Sequence, residues 1–80
     1  MKIQFTVDEV NPVHTRIKVF SGNNIGYLGF AGNLCFTNEE WRVLKRDLME
    51  CPNIIIKYSE SSMEQLKQLK NNGGDKYDGL

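Results

Sequence analysis

The amino-acid sequence predicts a small α+β protein with elements in the order β-β-β-α-β-α. The expected architecture is an antiparallel sheet of three or four strands, one main helix packed on one face, and a short C-terminal helix. Three observations carry this expectation: alternation of period two over Lys2–Val7 and Val13–Phe20, a doubly marked helix start at Thr37, and an isoleucine-rich run after Pro52.

In the first strand, Ile3, Phe5 and Val7 fall on one face. Asp8-Glu9-Val10-Asn11-Pro12 interrupts that pattern with a turn signal, since proline cannot donate to a ladder. The second strand resumes at Val13: Val13, Thr15, Ile17 and Val19 share one face, and His14, Arg16, Lys18 and Phe20 share the other. Ser21-Gly22-Asn23-Asn24 then offers residues suited to a reversal into a third strand over Ile25–Phe30. Ala31-Gly32-Asn33 is assigned to a turn or bulge, with Leu34-Cys35-Phe36 leading into the helix.

Thr37 is suited to the N-cap, Glu40 three residues on completes a capping box, and Phe36 packs on Trp41 as a staple. Trp41, Leu44 and Leu48 continue one apolar face, with Met49 at its edge, until Pro52 stops the helix at about Glu50 or Cys51. Ile54–Tyr58 is β-branched enough for a strand covered at least in part on both faces, either extending the sheet or pairing with a second copy. Ser61 with Glu64, or Ser62 with Gln65, caps a last helix carrying Met63, Leu66 and Leu69. The 80-residue chain is assigned one domain over residues 1–72 and a flexible tail over 73–80.

Ten basic and ten acidic residues give no net charge, which removes long-range attraction to phosphate and weakens repulsion between copies. Nucleic-acid binding through Arg16, Lys18 and their aromatic neighbours is therefore a disfavoured alternative, whereas self-association as a homodimer is tolerated. Cys35 and Cys51 do not make a disulfide scaffold and are read as reduced, with Cys35 packed; the cytoplasm is the expected compartment. No apolar run has spanning length and no secretory leader is indicated, so no membrane association is expected.

His14, the only histidine, needs an orienting carboxylate and a nucleophile to act as a base, and its expected place is a solvent-facing strand position. The glycines at 22, 26, 29 and 32 match neither a dinucleotide fingerprint nor a phosphate loop, and neither Asp8-Glu9 nor Glu39-Glu40 is an opposed catalytic pair. No catalytic residue, metal ligand or cofactor is assigned; a small hydrolase built around His14 or Cys35 is the least favoured class.

The expected function is a noncatalytic protein-binding or regulatory module, for instance a phage or mobile-element accessory protein acting as a stoichiometric inhibitor of a host protein. Its expected partner-binding residues are His14, Arg16, Lys18 and Phe20 on the free face of the second strand, together with Tyr27, Val43 and Ile55. Whether Phe20, Val43 and Ile55 form one patch depends on the fold.

Overall fold

A computed structural model of the protein describes residues 1–24 and 27–73. Its elements are β1 (Lys2–Val10), β2 (His14–Asn24), β3 (Tyr27–Thr37), α1 (Asn38–Leu48), β4 (Ile54–Tyr58) and α2 (Glu60–Gly73), in the predicted order. The strands form one sheet, β3-β2-β1-β4. β1, β2 and β3 make the antiparallel meander, while β4 extends the sheet beside β1 and runs parallel to it. The sheet is thus mixed, because α1 carries the chain back across it before β4 begins, and a crossover of this kind is what parallel pairing requires.

The core lies between the sheet and both helices. Val7, Val10, Ile17 and Trp41 are buried at its centre, and Phe36, Leu44, Leu48, Leu66 and Leu69 pack around them. Residues of α1 meet β3 and β2, and those of α2 meet β1, so the two helices cover the same face of the sheet.

Several boundaries differ from the sequence expectation for local physical reasons. β1 continues past Val7 to Val10 through a bulge: Val7 opposes Ile17 and Glu9 opposes Arg16, leaving Asp8 as the extra residue. This shift of parity turns Val10 inward beside Val7 and leaves both Asp8 and Glu9 on the other face. Val13 is not in a strand and is 60% exposed. The Asn11 side chain accepts hydrogen bonds from the Val13 and His14 amides at 2.9 and 2.7 Å, and this asparagine turn takes Val13 off the ladder.

β2 does not turn at Ser21; Ser21 and Gly22 pair with Ile3 and Lys2, and ladder bonds override their turn propensity. Ile25 and Gly26 lie outside the described residues, as do residues 74–80, which include most of the expected tail. β3 continues through Leu34–Phe36, which pair with Ile17, Arg16 and Thr15, so this stretch is strand and not a lead-in. Of the two alternatives for Ala31–Asn33 the bulge is the one found, since Val19 opposes Gly32 but Phe20 opposes Phe30.

Both helix-start devices at Thr37 are present. The Thr37 hydroxyl accepts from the Glu40 amide at 3.1 Å, the Glu40 carboxylate accepts from the Thr37 amide at 2.9 Å, and Phe36 stacks on Trp41 with centroids 6.3 Å apart. α1 ends at Leu48 with Met49 as C-cap, slightly before the predicted stop. In α2 the cap is Ser59, not Ser61 or Ser62: its hydroxyl accepts from the Ser62 amide at 3.1 Å, and Ser62 itself is fully buried. The buried side of α2 runs from Ser62 to Leu66 and Leu69, and Met63, 52% exposed, lies outside it. Gln65, read as a cap residue, instead accepts the Val10 amide at 2.7 Å and clasps α2 to β1.

Candidate functional site

With both helices on one side, the opposite side of the sheet carries no element of its own among the described residues. The site follows from reading the register across that open face. The His14, Arg16, Lys18 and Phe20 row of β2 runs along its middle, and the first three of these are exposed, as predicted. Each is flanked by a set partner: Thr37 beside His14, Cys35 and Glu9 beside Arg16, Asn33 and Thr6 beside Lys18.

One transverse row is apolar at both ends. Phe30 on β3 opposes Phe20 on β2, Phe20 opposes Gln4 on β1, and Gln4 opposes Ile55 on β4. The two rings meet edge to face with centroids 5.8 Å apart, and Phe30 is 60% exposed. Phe30 is in this row because of the bulge; with uninterrupted pairing Ala31 would stand opposite Phe20. The glycines around it, Gly29 and Gly32, were the available sign that the strand registers irregularly.

The other predicted contact residues separate. Ile55 belongs to the row, but Val43, 57% exposed, stands on α1 among Thr37, Glu39, Glu40 and Asp47, in the layer on the far side of the sheet. It is therefore not part of the same patch, because helix and strand bury opposite sides of the core. Tyr27 occupies a β3 position opposite Asn24, and its side chain lies outside the described residues.

The cations of the face are partly neutralised. Arg16 pairs with Glu9 at 3.3 Å and Lys18 with Asp8 at 3.9 Å, both pairs solvent-exposed. Such pairs contribute roughly 0–1 kcal/mol to folding. Lys2 and Lys57 also occupy positions on this side, by their alternation with Ile3 and Ile56, so among the described residues the face holds four cations against two carboxylates, in a chain of zero net charge.

Cys35 is exposed rather than packed, since it alternates outward from Leu34 and Phe36, and both cysteines are unpaired thiols. It occupies a position diagonal to His14 on the open face. The neighbouring carboxylates are engaged elsewhere, Glu9 with Arg16 and Glu40 in the capping box. Glu40 has its pKa lowered from the ordinary 4.5, first by the backbone hydrogen bond from Thr37, then by the Thr37 hydroxyl, with a smaller contribution from the nearby His14. Among the described residues no three His, Cys, Asp or Glu side chains converge as metal ligands, and no helix is long and apolar enough to cross a membrane.

Comparison with protein-family models, with curated proteins and with solved structures found no match in any of the three.

Proposed function

We propose that the chain is a noncatalytic protein-binding module that presents the open face of its sheet to another protein, acting as a stoichiometric inhibitor or adaptor. The observation that carries this reading is the Phe30-Phe20-Gln4-Ile55 row, apolar at both ends, on a face left uncovered by both helices. An exposed Phe30 packed on a half-buried Phe20 and framed by cations is a composition that protein interfaces favour, with aromatics and arginine enriched at their centres. The excess of lysine and arginine around the strip points to a partner surface that is apolar at its centre and acidic at its rim.

Binding to nucleic acid through the same face is less well supported, because Arg16 and Lys18 already hold carboxylate partners that a phosphate would have to displace. A reducing compartment such as the cytoplasm belongs to this proposal and is supported by two exposed, unpaired thiols.

The test is capture of a binding partner followed by mass measurement of the intact complex, with wild type, F20A/F30A and V43A side by side. A one-to-one complex lost in F20A/F30A and retained in V43A is the expected result. Equal binding by all three variants, or a complex lost only in V43A, would overturn the assignment of the face. A gel shift at low salt abolished in R16A/K18A would replace a protein partner by a nucleic acid.

A further inference from the structure

The sheet has two edges, and they are built differently. β3 is broken by the bulge at Ala31 and by a second register shift toward the β2–β3 connection, a device that turns an edge away from further pairing. β4 pairs with β1 over five consecutive residues without a shift, and among the described residues no strand lies on its other side.

Its free backbone groups can be assigned. The Asn53 carbonyl accepts from the Ile3 amide at 3.0 Å and the Ser59 amide donates to the Val7 carbonyl at 2.9 Å, so residues 53, 55, 57 and 59 address β1. The amide and carbonyl of Ile56, the amide of Tyr58 and the carbonyl of Ile54 consequently point to the open edge. The Ile54 amide is already donated to the Cys51 carbonyl at 3.2 Å.

We propose that β4 pairs antiparallel with β4 of a second copy of this chain, on a two-fold axis through Ile56. In that register the two Ile56 residues exchange both of their hydrogen bonds, and each Tyr58 amide meets the partner's Ile54 carbonyl. Because the Ile54 amide is donated within its own chain, each of these outer pairs forms one bond, from the Tyr58 amide to the Ile54 carbonyl. Side chains match as well: Ile54, Ile56 and Tyr58 continue the helix-covered face of one copy into that of the other. On the open face Lys57 stands opposite Ile55 of the second copy and not opposite another lysine.

An apolar groove of about 310 Å³ beside this edge, lined by Lys45, Met49, Ile54, Ile56 and Tyr58, lies where the second copy would come to rest. Met49, 70% exposed there, is an apolar side chain that the monomer leaves in water. Zero net charge sets no repulsion against the pairing.

Light scattering and sedimentation from about 1 µM to about 1 mM are expected to show the mass rising from one 9.2 kDa chain toward twice that value. Ile56→Pro removes an amide that no strand of its own chain uses, so the variant is expected to fold, by circular dichroism, and to remain monomeric. Independently of how that variant folds, I56C in a C35S/C51S background is expected to oxidise to a covalent dimer. Hydrogen-bonded antiparallel partners stand about 5.5 Å apart at Cα, within disulfide range. K57C, off the axis, is expected to stay largely uncrosslinked. Wild type monomeric throughout, a folded I56P that still dimerises, or equal crosslinking of I56C and K57C would overturn the proposal. None of these readouts uses Phe20 or Phe30, so the pairing and the open-face function stand or fall separately.

Discussion

Along β2, Thr15 and Ile17 are fully buried under the helices, whereas their neighbours Arg16 and Lys18 are exposed on the opposite side of the same strand. The two faces share one backbone and one set of ladder bonds, and they differ only in what lies over them. On the covered face the helices bring Trp41, Leu44, Leu66 and Leu69 onto the strands, so an apolar side chain there is held by folding. On the open face Phe30 is 60% exposed, while Phe20 and Ile55 are half-buried with no helix over them. Under the proposed function, a partner meets this surface from outside.

The comparison breaks most readily at Trp41. It is the largest fully buried side chain and touches the centre of the core, so Trp41→Ala is expected to cost about 3–5 kcal/mol. Small domains have only about 5–15 kcal/mol in total, so the urea midpoint should collapse. A loss below about 1 kcal/mol would show that the helix layer is not what buries this face.

How much of this was legible in the sequence follows from the range over which each signal acts. The cap at Thr37, the Trp41 stripe, the Ile54–Tyr58 strand and the alternation of Arg16 and Lys18 against Ile17 are set within a few residues, and the chain spells them out. The bulge at Asp8 is not spelled out, and at Ala31 the glycines mark a turn or bulge without saying which residue it sets opposite Phe20, because one extra residue in a strand is defined only by what lies opposite it. That is why the ion pairs of Arg16 and Lys18, and the place of Phe30 opposite Phe20, were beyond a reading of the strands one at a time. Val43 was grouped with Phe20 and Ile55 because all three look exposed locally; only the layer order separates them. The parallel partner of β4 is a pairing between residues some fifty positions apart, of which propensity carries no trace.

A smaller effect is expected at the cap that starts the covering layer. Thr37→Ala removes the acceptor of the Glu40 amide and should cost about 1 kcal/mol in urea denaturation. On the open face Phe30→Ser removes a 60% exposed ring and its edge-to-face contact with Phe20, so its midpoint shift should stay within about 1 kcal/mol. Its effect on complex formation should nevertheless be large. A Phe30 substitution as damaging to folding as Trp41→Ala would erase the distinction between the faces.

The smallest effect belongs to Glu40, where the helix layer meets the His14 end of the open face. The Thr37 amide and hydroxyl favour the ionised carboxylate, with His14 adding to them, so the folded-state pKa lies below 4.5. The folded protein then binds this proton more weakly than the unfolded chain. The resulting contribution is present in full above the unfolded value and is lost as pH falls through the folded one. Glu40→Gln keeps an oxygen that can accept from the Thr37 amide but cannot titrate. Wild type should therefore lose stability more steeply than E40Q on acidification below about pH 5, and the difference between them should be constant above it. Because Glu40 is exposed, the divergence should be slight, and parallel acid limbs in urea midpoints measured against pH would show that the box gains nothing from the charge.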